Sequence, residues 1–225
     1  MKWPDTNALT LQSAAFVQDM TASLRALPSI ALSSLPAQET ALFLVDMVNG
    51  FAREGALASE RVGALVEPVA SLTASCAAAG IPVVAFADSH TTDSLELRSY
   101  PPHCLRGTTE SALCDEIADA AAGGITRIDK NSTNGFLEPV FELWRRDHAH
   151  IRTWIVAGDC TDICVQQFVL AALAWHNTRN LPLRILLPVE LIDTFDAPGH
   201  PADVLNLAAL YFMRAAGAEL CTNIT

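Results

Sequence analysis

Apolar positions along this chain follow two alternating rhythms. Short, nearly unbroken apolar runs at 41–45, 82–87, 125–128, 153–157, 183–187 and 219–221 read as β-strands. Between them, apolar residues recur every three or four positions, which predicts helices over 59–79, 109–121, 137–147, 162–177 and 201–216. Gly80, Gly123 and Gly217 stand where three of these helices would stop. Such alternation closes into a parallel sheet covered by helices. The expected fold is therefore α/β, a Rossmann-like three-layer α/β/α arrangement on a mostly parallel, six-stranded sheet. Residues 1–38 read as an N-terminal extension packed on the domain, with a helix near 14–27 and a connector at Ser33-Ser34-Leu35-Pro36. Residues 39–225 form the domain itself.

Ligands of open parallel sheets bind beyond the carboxyl ends of the strands, so the residues that follow each apolar run carry the candidate chemistry. Asp46 follows the first run, Asp88-Ser89-His90 the second and Asp129-Lys130-Asn131 the third. The fourth run breaks at Gly158 and leads into a helix with Cys164 in its first turn, where Thr161 or Asp162 is the expected N-cap. A helix start offers free N–H donors and a partial positive charge, which predicts a stabilised thiolate at Cys164. Asp46 is the candidate general base and acid, and Lys130 the cation that favours both ionised partners. The N–H groups of Cys160 and Cys164 are candidate oxyanion donors.

A second constellation, Asp88, His90 and His103, suits a divalent metal with open positions; zinc, iron or manganese could be accommodated. Cys104 is a softer possible ligand expected to point away. Phe51, Tyr100 and Phe136 are candidate walls for a flat substrate, and His200 could line a pocket. Each residue also has a plainer reading. Asp46 and Lys130 could be turn and loop charges, Cys164 an inert buried thiol, and the histidines loop residues bonded to carboxylates. Cys160 and Cys164 could instead form a redox pair, although three residues separate them. A non-catalytic small-molecule binder is a further alternative.

Composition narrows these choices. With 225 residues, 51% of them apolar, the chain can bury one sizeable domain. A net charge of -11 without any basic run argues against nucleic acid or an anionic membrane as partner. Six cysteines without a CxxC pair suggest free thiols and a cytoplasmic location. No apolar run approaches the roughly 18 residues of a membrane span. The apolar-rich helices and the extension suggest a homo-oligomer.

From about 41 to 221 the chain resembles the isochorismatase-like cysteine hydrolases, and within them the nicotinamidase branch. The strand ending in Val45-Asp46 with Phe51 downstream is similar to the family's general-base motif, Lys130 to its catalytic lysine, and Gly158-Asp159-Cys160-Thr161-Asp162-Ile163-Cys164-Val165 to its nucleophile signature. The resemblance implies a catalytic set of Asp46, Lys130 and Cys164 and a cis peptide between Asp159 and Cys160. Asp88, His90, His103 and Cys104 match the branch's two metal-binding segments. It implies a divalent metal, zinc before iron or manganese, that holds the substrate ring. The implied activity is hydrolysis of nicotinamide or a similar small amide through a thioester. Val48 and Gly50 stand where the branch usually has Gln and Asp, and Tyr100 where it often has Trp, so the pocket walls differ.

Overall fold

In the computed structural model, which describes residues 3–121 and 124–225, six parallel strands form one sheet. They are β1 (Thr40–Val45), β2 (Val83–Asp88), β3 (Ile125–Lys130), β4 (Thr153–Gly158), β5 (Arg184–Pro188) and β6 (Glu219–Cys221). β1, β2 and β4 are buried at every position, and so their sequences run apolar without alternation. β3 lies at an edge and exposes Arg127 and Asp129, which pair with each other at 2.8 Å.

Alternate side chains of the central strands feed two cores. Phe43, Val45, Trp154 and Val156 face one core, which they share with Phe141 and Trp144 of α6 (Pro139–Asp147), Phe168 and Val169 of α7 (Gln166–Asn177) and Met213 of α8 (Ala202–Ala215). Leu42, Leu44, Ile155 and Ala157 face the other, with Val69 of α4 (Val66–Ala78) and Ile117 of α5 (Asp115–Ala120). This period-2 partition makes three layers.

Strand order β3-β2-β1-β4-β5-β6 reverses direction between β1 and β4. The register sets Val45 beside both Phe86 and Gly158, and Asp88 beside Lys130. Gly158 has φ +116°, and a Cβ there would lie 2.0 Å from the Val45 carbonyl oxygen. Only glycine lets the two strands approach so closely.

Helix boundaries depart from the sequence pattern in four places. The N-terminal helix, α1, spans Thr6–Arg25 and starts well before 14, because Asp5 accepts from the Ala8 N–H and caps it. The region 59–79 divides into α3 (Glu60–Gly63) and α4, with Gly63 close beneath the Ala52 carbonyl. Only α5 forms within 109–121. The loop before it is held by Asn49 and Gly50 of α2 (Asn49–Ala52), whose N–H groups donate to the Ala112 and Glu110 carbonyls. The region from 162 opens as a π-turn at Thr161–Val165 before α7 begins, with no side-chain cap from Thr161 or Asp162. Gly80 and Gly217 take positive φ at helix ends, as a stop signal should, and Gly123 lies outside the described residues. Among the described residues no helix is long and apolar enough to cross a membrane.

Candidate active site

The reversal of strand order opens a crevice beyond the ends of β1 and β4, and the polar strand ends converge there. Asp46 leaves β1 with φ +55° and is fully buried. Its Oδ1 accepts from the Asp88 N–H at 3.0 Å, and its Oδ2 lies 2.8 Å from Lys130 Nζ without the alignment of a hydrogen bond. Lys130, at the end of β3, also contacts Asp88 Oδ1, the Ser132 carbonyl at 3.1 Å and Cys164 Sγ at 3.8 Å. One ammonium thus ties two carboxylates to the thiol.

Burial decides the protonation of this cluster. It raises Asp46 to about 7, helped by the Asp88 charge and opposed by Lys130. Burial also opposes charge on Lys130 and on Asp88, but attraction prevails: the Asp46 and then the Asp88 charge carry Lys130 well above its ordinary value, and Lys130 with the His103 and His90 hydrogen bonds brings Asp88 down. The Cys164 thiol is pushed well above its usual range by burial, with Lys130 countering and the Asp46 and Asp88 charges adding to the rise. The thiolate expected from a helix start is therefore corrected to a resting thiol. The π-turn supplies only a short, irregular helix start, and full burial beside two carboxylates outweighs it.

Asp88 turns its other oxygen toward two imidazoles, 3.4 Å from His90 Nε2 and 3.5 Å from His103 Nε2. The opposite ring nitrogens are tied down: His90 Nδ1 lies 3.2 Å from Asn131 Oδ1, and His103 Nδ1 lies 2.8 Å from the Pro101 carbonyl. Both Nε2 atoms are thereby aimed inward, and His90 Nε2 is buried with no hydrogen-bond partner. Glu96 completes the group, since one ligand atom from each of Asp88, His90, Glu96 and His103 lies within 4.8 Å of the others. Two imidazoles and two carboxylates with an orphaned nitrogen fit a divalent ion such as zinc, manganese or iron. Cys104 is outside the group; its sulfur packs against Gly50.

A narrow cavity, with about 50 Å³ open to the centre of a water molecule, joins the two constellations. Cys164, Cys160, Asp88 and His103 line it, together with Phe51 and Tyr100. Phe136 does not. It packs among Phe141, Phe168 and Trp175 in the aromatic core, because the turn before α6 folds its ring inward. Sequence reasoning missed Glu96, Asp159 and Phe195, which also face the cavity. Glu96 could have been suspected as an acid in the loop that joins the two histidines. Asp159 sits inside the nucleophile turn, where one oxygen is buried without a partner. His200 stands behind Phe195, stacked at 3.8 Å, and its Nε2 lies 2.9 Å from Asp162 Oδ2. The Asp159–Cys160 peptide is cis.

The family model described as the isochorismatase domain matches residues 40–176. Nicotinamidase 1 of Arabidopsis thaliana is 33% identical over 220 residues, covering 82% of this chain and 86% of that protein. Among solved structures, the N-carbamoylsarcosine amidase of Thermoplasma acidophilum has 30% identity and a TM-score of 0.67, covering 81% of this chain and 95% of that one. The nicotinamidase/pyrazinamidase of Bacillus subtilis has 26% identity and a TM-score of 0.69, covering 81% and 99%.

Proposed function

The chain belongs to the isochorismatase family and is a hydrolase of amide C–N bonds, and from that premise we propose that it releases ammonia from nicotinamide or a closely similar small aromatic amide through a thioester on Cys164. The observation that carries this reading is the single cavity in which Cys164, 3.8 Å from Lys130 Nζ, faces the Asp88, His90, Glu96 and His103 group.

Asp46, its pKa raised to about 7 by burial, accepts the Cys164 thiol proton in its ionised form as sulfur adds to the amide carbonyl. Lys130 holds its charge beside both groups and stabilises the sulfur as it becomes anionic. The N–H groups of Cys160 and Cys164 are proposed to receive the new oxyanion. Asp46 then passes its proton to the leaving nitrogen, the C–N bond breaks, and ammonia departs. In the second half Asp46 takes a proton from water, hydroxide adds to the thioester, and the thiol is regenerated as the carboxylic acid leaves. A divalent ion held by Asp88, His90, Glu96 and His103 would supply a Lewis-acidic anchor for a ring nitrogen. Phe51 and Tyr100, 5.6 and 6.1 Å from the His103 ring, form walls for a flat ring.

The test is ammonia release from nicotinamide, pyrazinamide and simple aliphatic amides by metal-replete protein, repeated after chelation and with Cys164→Ala. Turnover of the aromatic amides that is lost on chelation and in the variant is expected. Full activity in Cys164→Ala would overturn the nucleophile. Activity untouched by complete metal removal would leave a metal-free cysteine hydrolase.

A further inference from the structure

A second cavity, about 130 Å³ by the same measure, lies at the far end of β4 from the nucleophile. Trp154, near the start of β4, lines it, and roughly 13 Å of strand separates that residue from Gly158. Trp144 and Trp175 also line it, as do His148, whose ring stacks on Trp144 at 4.2 Å, half-buried Arg145 and exposed Arg152.

Three observations there call for an acceptor. Trp154 is only 2% exposed, and its indole Nε1, which can only donate, is buried with no hydrogen-bond partner. Arg145 Nε is likewise buried and unpartnered, with its guanidinium held 4.4 Å from the ring centres of both Phe136 and Trp175. The lining contains no carboxylate, and among the described residues no carboxylate oxygen lies within 4 Å of Arg145 or Arg152. Burial also lowers the affinity of Arg145 for its proton, with the Glu142 charge opposing and the Arg179 charge adding to the fall. Donors left dry cost free energy that an anionic acceptor would restore.

We propose that this cavity is a second small-molecule site, built for a single-ring aromatic carboxylate. The rings receive the flat apolar body, and Trp154 Nε1–H and the two arginines receive the carboxylate. The product of the proposed amidase reaction belongs to this chemical class, but the site stands without that reading, because its donors and rings share no residue with the catalytic cavity.

Three of the four tryptophans line the site and the fourth, Trp3, is 87% exposed, so indole fluorescence reports on it. Full-length protein is titrated with benzoate, neutral benzamide and inorganic phosphate. Saturable quenching by benzoate is expected, at least about tenfold tighter than by benzamide or phosphate, and weakened about tenfold or more by Arg145→Met. Arg152→Met, on an exposed loop, serves as a second variant should Arg145→Met lose its near-ultraviolet circular dichroism. Absence of saturable quenching, equal response to benzamide or to phosphate, or benzoate binding unchanged in a folded variant would each overturn the proposal.

Discussion

Cys164 shows two forces in opposition, and burial wins. Its thiol rests protonated, so the proposed reaction needs Asp46 as an acceptor and not a standing thiolate. Cys164→Ala should lower amide hydrolysis by about 10³-fold or more, as losing a covalent nucleophile does. Cys160→Ser should stay within about tenfold of the parent, because the Cys160 sulfur donates to Asp159 while Lys130 reaches the Cys164 sulfur, and serine keeps the backbone N–H. Steady-state ammonia release separates the two, and equal losses would revive a paired-thiol chemistry. Gly158→Ala belongs to the same scale. A Cβ 2.0 Å from the Val45 carbonyl, added at φ +116°, should cost about 3 kcal/mol or more. Thermal unfolding should show a marked fall in Tm, or the variant should fail to accumulate in soluble form.

At the level of elements, α7 links the nucleophile turn to His176 near its far end. Burial lowers the His176 pKa, and the Arg145 and Arg179 charges add to that, against a hydrogen bond its ring makes to the Ala172 carbonyl. The folded protein therefore refuses a proton that the unfolded chain accepts near 6.5. Stability from this group is present above pH 6.5 and is lost as pH falls from there toward the folded pKa. Urea unfolding at pH 7.5 and 5 should show a larger loss for the parent than for His176→Gln. Equal losses would assign the pH dependence elsewhere.

The elements also differ in how far the chain announces them. Strands were legible to within a residue or two, since buried parallel strands need unbroken apolar runs and little else can place such runs. Helix ends were not, because Asp5 capping and the close passage of Gly63 under Ala52 are tertiary or local details with no period. Asp46, Lys130 and Cys164 stood out because each lies at or beyond the end of an apolar run, and the structure brings the three together. Phe136 was misplaced and Glu96 unseen, because both sit in turns whose direction only packing decides.

For the whole molecule, the extension packs against α8 and the segment that follows β6. The Thr222 N–H donates to the Pro28 carbonyl, Arg214 reaches Ser23 Oγ at 2.6 Å, Phe16 meets the Tyr211 ring edge-on at 5.4 Å, and Met20 is buried in the main core. We propose that the extension is a structural part of the domain. Deleting residues 1–26 should therefore lower Tm, by about 2–4 °C for each kcal/mol of lost packing in a chain of this size. A calorimetric scan reads this directly, and an unchanged Tm would make the extension an appendage.

The reversal of strand order has one more consequence, for how the chain can be divided. β1, β2 and β3 are neighbours on one side, and β4, β5 and β6 on the other. Asp46, Lys130 and the Asp88, His90, Glu96 and His103 group all come from the first block, and the Cys164 thiol comes from the second. Cutting at exposed Ala149, between α6 and β4, would thus yield two fragments, neither holding a complete reaction centre. Ammonia release should return only when the halves are co-expressed and the seam between β1 and β4 re-forms. The chain would then serve as a complementation reporter whose signal is the closing of that seam.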